Sequence, residues 1–258
     1  MPAHAPSALT TLSVALLFAA IFLFGGRAAY HPGQRGRRRF LSFAAGISVS
    51  YTFVHVLPAL HEIRAIHTQS PADFSMVIPE YSVYLWTMAG FMVFYGFETL
   101  AARPRKGPEN SAGEGGSEGP WLPWVHISGF AVYAWLLTYM MVWTGKGTLT
   151  LWLFAVAMGM HLLPIACSLS SEYQAVYDRR GAFLPALASI AGWASSLALD
   201  IPRPILLNLV AIVAGGVIVN AAIAELPKEK EGRYWYFLAG AASYTALLLA
   251  LSHFEKGE

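Results

Sequence analysis

The chain has 258 residues, 56% of them hydrophobic and only 12% charged, with a net charge of +2 and one cysteine. A soluble domain carries about a quarter charged residues, so lipid must supply part of the solvent here. The weak, scattered positive charge excludes a nucleic-acid face, and a lone Cys167 excludes a disulfide framework or a cysteine zinc ribbon.

Helices that cross a bilayer core of about 30 Å need roughly 20 mostly apolar residues. Eight segments qualify in chain order: Leu9–Phe24, Phe40–Leu60, Tyr81–Ala102, Trp121–Trp143, Leu149–Cys167, Ala182–Leu199, Ile205–Leu226 and Tyr234–Ser252. None alternates as a barrel strand does, and lipid does not tolerate unpaired backbone, so helix is the expectation throughout. Met1–Ala8 has no Lys or Arg, and no clear cleavage site follows Leu9–Phe24, so the first segment is expected to be a retained span rather than a signal peptide. Pro104–Pro120, rich in Gly, Pro, Ser and Glu, reads as a flexible loop that divides three spans from five.

Basic residues concentrate on one side of this arrangement. Arg27, Arg35, Arg37, Arg38, Arg39, Arg103, Arg105, Lys106, Arg179, Arg180, Lys228, Lys230 and Arg233 follow spans one, three, five and seven. Only Arg64, Lys146, Arg203 and Lys256 fall on the other. The positive-inside rule then places both termini outside the cytoplasm, in a cell membrane that the short loops suggest is a bacterial inner membrane.

A weak repeat accompanies the spans. A shift of 169 residues lays Ala45, Gly46, Leu57, Pro58 and Glu62 over Ala214, Gly215, Leu226, Pro227 and Glu231. Spans two and seven run in opposite directions, so spans 1–3 and 6–8 would form an inverted repeat around spans 4–5, a plan that transporters use. Small and apolar identities come cheaply in membrane helices, and chance is the competing explanation.

Ionisable groups inside a span are costly and each needs a reason. His55 lies in FVHVLPALHE and His161 in AMGMHLLPIAC, each three residues before a proline, Pro58 and Pro164. Such a proline removes an amide donor and leaves a carbonyl close to the imidazole, a sensible pair for holding an ion. The plainer reading is a neutral histidine bonded to a neighbouring helix beside a simple kink. Glu98 and His126 fall near the inner ends of spans three and four, where a polar interface tolerates them. If those spans pack together, the two residues form an inner way-station. Met140, Met141, Met158 and Met160 are soft donors of the kind that suits Cu(I), although methionine is more often a filler of core gaps. No phosphate-cradling glycine loop, H-E-x-x-H or G-x-S-x-G occurs, so enzymatic activity is not expected.

These features together resemble the ZIP (Zrt/Irt-like) family of divalent-metal transporters. AAGISVSYTFVHVLPALHE resembles the family's second helix, MAGFMVFYGFE its third and VAGGVIVNAAIAELP its seventh. The resemblance implies eight helices and alternating-access import of a divalent metal such as zinc as cargo, with no resident cofactor. It nominates His161, His55, Glu98 and His126 as metal contacts and leaves a homodimer open. The departures are large. Leu162, Ile165 and Ala166 stand where the family's fifth helix has ligands, and the fourth and sixth spans lack central acids or histidines. Two other outcomes follow from those losses: a scaffold or sensor that keeps the fold, or a membrane-embedded hydrolase built on His55, His61 and His161.

Overall fold

A computed structural model describes residues 6–26, 34–69, 81–101, 121–143, 147–222 and 234–256. Pro104–Pro120, Glu225 and much of the basic loop sequence lie outside them. The described residues are almost wholly helical, with no strand among them. In chain order the helices are α1 (Ala8–Phe24), α2 (Gln34–Tyr51), α3 (Leu57–Gln69), α4 (Ser82–Ala101), α5 (Leu122–Trp143), α6 (Thr148–Glu172), α7 (Gln174–Val176), α8 (Phe183–Ala198), α9 (Arg203–Asn220) and α10 (Tyr234–Lys256). Wide π turns join α2 to α3 at Thr52–Val56 and lead from α7 toward α8 at Tyr177–Gly181.

Among the described residues, three helical runs are long and apolar enough to cross a membrane: Arg38–Arg64, Pro123–Val142 and Thr148–Glu172. A fourth results if the pair Gln174–Gly181 and Phe183–Ala198, bent by 41°, counts as one span. Ala8–Phe24, Ser82–Phe97 and Ile205–Asn220 are shorter apolar helices. A helix lies in each segment expected from the sequence, but the bounds differ: the second begins at Gln34 and continues through its proline to Gln69, the fifth runs past Cys167 to Glu172, and the last runs on to Lys256.

The outward faces are apolar. Phe53, Met92, Val132, Leu187 and Leu249 are all more than half exposed. Patches of this kind are a liability in water and the normal condition against lipid. Polar groups turn inward instead, with Ser48, Thr138, His161, Ser189 and Asn220 fully buried.

The most extensive contacts in the bundle are those of α2 with α10, α4 with α9 and α5 with α8; those of α1 with α8, α2 with α6 and α1 with α6 are lighter. The residues that touch show that the three extensive pairs run parallel, with Gly90 against Ile212 and Gly216 against Phe94 for α4 and α9, and that α1 and α6 do too, with Ile21 against Gly159 and Gly25 against Leu163. Arg39 sits over the Tyr236 ring and Ser50 bonds Thr245 at 2.7 Å, so α2 and α10 advance together. Gly192 of α8 lies against Trp135, and one turn further along α5 the Tyr139 hydroxyl donates to the Leu199 carbonyl at 2.8 Å and accepts from the Ile201 amide. Helices α1 and α8 run antiparallel instead, tied at one end by Trp193 Nε1 donating to Thr11 Oγ1 (3.0 Å) and at the other by the Tyr177 hydroxyl donating to the Phe22 carbonyl (3.1 Å).

Glycine closes the three extensive pairs, Gly192 lying against the Trp135 carbonyl between α5 and α8 and two glycines closing each of the other two. A Cβ on Gly46 would strike the Phe237 carbonyl, and one on Gly240 would strike that of Phe43. In the other pair, a Cβ on Gly90 would strike the Ile212 carbonyl and one on Gly215 that of Thr87. Backbone meets backbone at these crossings, which is how small residues let apolar helices associate in lipid.

Candidate functional site

The centre of the bundle is the contact between α2 and α6. His161 is completely buried there, and its Nδ1 shares a 2.9 Å hydrogen bond with Ser48 Oγ from α2. The Tyr133 ring of α5 lies 6.0 Å away between centroids. Pro164 is accommodated inside an unbroken α6, where it removes the amide that the Met160 carbonyl would otherwise accept. The polar cluster therefore sits beside a backbone acceptor released by sequence.

His55 is placed differently. It lies in the π turn before Pro58, half-buried, with its ring stacked on Tyr51 at 4.9 Å. Proline explains the turn: residue 58 has no N–H for the Val54 carbonyl, and the Leu57 amide reaches back five residues to Thr52. Widened turns of this type often mark functional positions in helices.

A cavity of about 140 Å³ opens beside this turn. Its walls come from one end of the bundle: the last turn of α5 (Met140, Met141), the first turns of α6 (Thr150, Phe154), the π turn (His55) and the middle of α9. Met158 also lines it, one helical turn before His161. A second cavity of about 160 Å³ lies at the opposite end, between the end of α1 and the start of α8, with Asp178 on its wall.

His126 departs from expectation. The sequence put it at a polar interface, but only 4% of its surface is exposed. Its Nδ1 shares a 3.1 Å hydrogen bond with the Tyr173 hydroxyl and lies 3.9 Å from a Glu172 carboxylate oxygen. The cause is the extra length of α6, which carries Glu172 and Tyr173 alongside the start of α5. Glu98 lies on α4, and its side chain falls outside the described residues. Phe97 beside it meets the His126 ring at 6.3 Å. His161, His55 and His126 thus occupy three separate places. Among the described residues no three His, Cys, Asp or Glu side chains converge on a point where an ion would sit. His61, needed for the hydrolase reading, is exposed on α3.

Asn220 was not singled out in the sequence. It is fully buried at the end of α9, and among the described residues neither atom of its amide has a hydrogen-bond partner. A buried amide of this kind is costly, and an asparagine inside the apolar run VAGGVIVNAAIA was the available signal.

The fold and site together define an all-helical bundle of apolar helices with a buried polar centre and a cavity at each end. No protein-family model and no curated protein matches the chain.

Proposed function

We propose that this chain is a ZIP-like membrane transporter that crosses the bilayer eight times and carries a metal cation past His161 by alternating access. The carrying observation is the cavity whose wall includes Met158, one turn from the buried His161–Ser48 pair. A route from one face of the bundle therefore stops a single turn short of a polar centre.

The packing supports the eight-span count and the inverted repeat. Parallel packing is required of spans of equal parity, as α2–α10, α4–α9, α5–α8 and α1–α6 are under that count; α1–α8, of unequal parity, is antiparallel. Exchanging spans 1, 2 and 3 for 6, 7 and 8, and span 4 for 5, turns the α2–α10 pair into α9–α4 and the α5–α8 pair into α6–α1. The glycine contacts obey the same exchange: Gly46 and Gly215, which the 169-residue shift superposes, each close one of the two equivalent crossings.

Zinc, or another divalent ion imported toward the cytoplasm, is the cargo that the resemblance implies. In membrane vesicles of purified protein, wild type should show saturable metal uptake and His161→Ala should lose at least about 90% of it, as expected when a central intramembrane ligand is removed. Equal uptake by both proteins would refute the route through His161. No uptake by either would favour the non-transporting scaffold, a reading that the scattered placement of the histidines also supports.

A further inference from the structure

The donor set of the methionine-lined cavity is unusual for a hard or borderline ion. Three thioethers, from Met140, Met141 and Met158, line one space of about 140 Å³ together with the His55 imidazole. No carboxylate is among its described lining residues; the remaining described walls are aliphatic or aromatic apart from the hydroxyls of Tyr51 and Thr150. Divalent zinc or manganese entering here would give up hydration to donors that replace it poorly. A soft, singly charged, closed-shell ion is in the opposite position. It loses less hydration, prefers sulfur and imidazole, and is content with a few ligands.

The methionines are anchored on two different helices. Met140 and Met141 end α5, and Met158 is in α6, so their side chains reach the cavity from separate supports. His55 approaches from a third element, the π turn. The thioether chain is unbranched and has three rotatable bonds, which lets donors on separate helices adjust around one ion. Thioethers remain neutral, so these three donors need no proton release to bind and hold no charge when empty.

We infer that this cavity is a binding site for a soft monovalent cation, Cu(I) or its redox-inert counterpart Ag(I), held by Met140, Met141, Met158 and His55. The inference rests on the transporter reading for its role as the antechamber to His161, and it narrows the cargo from a divalent ion to a soft monovalent one.

The test uses the full chain in detergent, with Cys167→Ser in every protein so that the thiol does not contribute. Binding of Ag⁺ is measured by equilibrium dialysis for that background and for the same chain carrying M140L, M141L and M158L. Leucine conserves the volume of methionine closely enough to keep the wall intact, and M158L alone serves if the triple variant unfolds. The background should bind one Ag⁺ per chain, undiminished by equimolar Zn²⁺, and the triple variant should bind it at least about tenfold more weakly. Absent binding, equal binding by both proteins, or displacement by equimolar Zn²⁺ would overturn the inference. Flux in liposomes separates the two claims. Ag⁺ uptake lost on leucine substitution supports both. Zinc uptake indifferent to the substitution overturns the narrowed cargo and leaves the transporter. Methionine-dependent binding with no flux of any metal upholds the site and overturns the transporter reading.

Discussion

The His161–Ser48 pair is the smallest unit on which the account depends. His161 was legible in the sequence because a lone imidazole in an apolar run stands out. Its partner was not, because Ser48 is 113 residues away and serines are common in membrane helices. Replacing Ser48 with alanine removes one hydrogen bond from a fully buried histidine. Unfolding should become easier by about 1 kcal/mol, within the range measured for interhelical bonds in membranes. Thermal unfolding in detergent measures this, and an unchanged midpoint would mean that the bond contributes nothing. Asn220 predicts the reverse sign. Its amide is buried with no partner among the described residues, so Asn220→Leu should stabilise the chain by about 1 kcal/mol. A loss of metal uptake in that stabler variant would assign the amide to cargo, since a purely structural asparagine predicts no such loss.

At the scale of helices, apolar length located every main segment, because hydrophobicity over about 20 residues is a local property. The exceptions arise where length alone misleads. Polar Ser168, Ser170, Ser171 and Glu172 suggested that the fifth segment ends at Cys167, yet α6 continues. Its last turn is supported by Ser171 Oγ donating to the Ser168 carbonyl at 2.9 Å and by the hydrogen bond that the Tyr173 hydroxyl shares with His126 of α5. That extension is what buries His126. The π turn was half legible: Pro58 announced a disturbed helix, but whether the backbone kinks or widens depends on neighbours that the local sequence does not name. Glycine supplies the sharpest prediction at this scale. Gly46→Ala places a methyl against the Phe237 carbonyl, so the α2–α10 crossing must open, at a cost of about 1–3 kcal/mol. Gly96→Ala meets no atom within 4 Å and should instead be neutral or stabilising by up to about 1 kcal/mol. Denaturation of the two variants side by side checks the contrast, and equal behaviour would remove close packing as the reason for Gly46.

For the whole molecule, the proposed inverted repeat rests on five weak identities in the sequence and on matching helix contacts in the fold. The shift that superposes Gly46 on Gly215 was indistinguishable from chance as a string of residues, because Ala, Gly and Leu abound in any membrane helix. Three-dimensional pairing gives those glycines equivalent neighbours. The partner positions, Gly90 and Gly240, are separated by a different interval, 150 residues, so a single sliding shift never aligns them with the rest. The candidate site was less legible for a related reason: its cavity is assembled from α5, α6, α9 and the π turn, and no local motif encodes such a meeting. The proposal that the two halves are inverted and cross the membrane eight times carries the functional reading. Single cysteines introduced by Ser7→Cys, Ser111→Cys and Glu258→Cys in a Cys167→Ser background test it directly, using a membrane-impermeant maleimide on right-side-out and inside-out vesicles. The account predicts that Cys at 7 and 258 react only in right-side-out vesicles and Cys at 111 only in inside-out ones. Labelling of positions 7 and 111 from the same side, or of 7 and 258 from opposite sides, would contradict it.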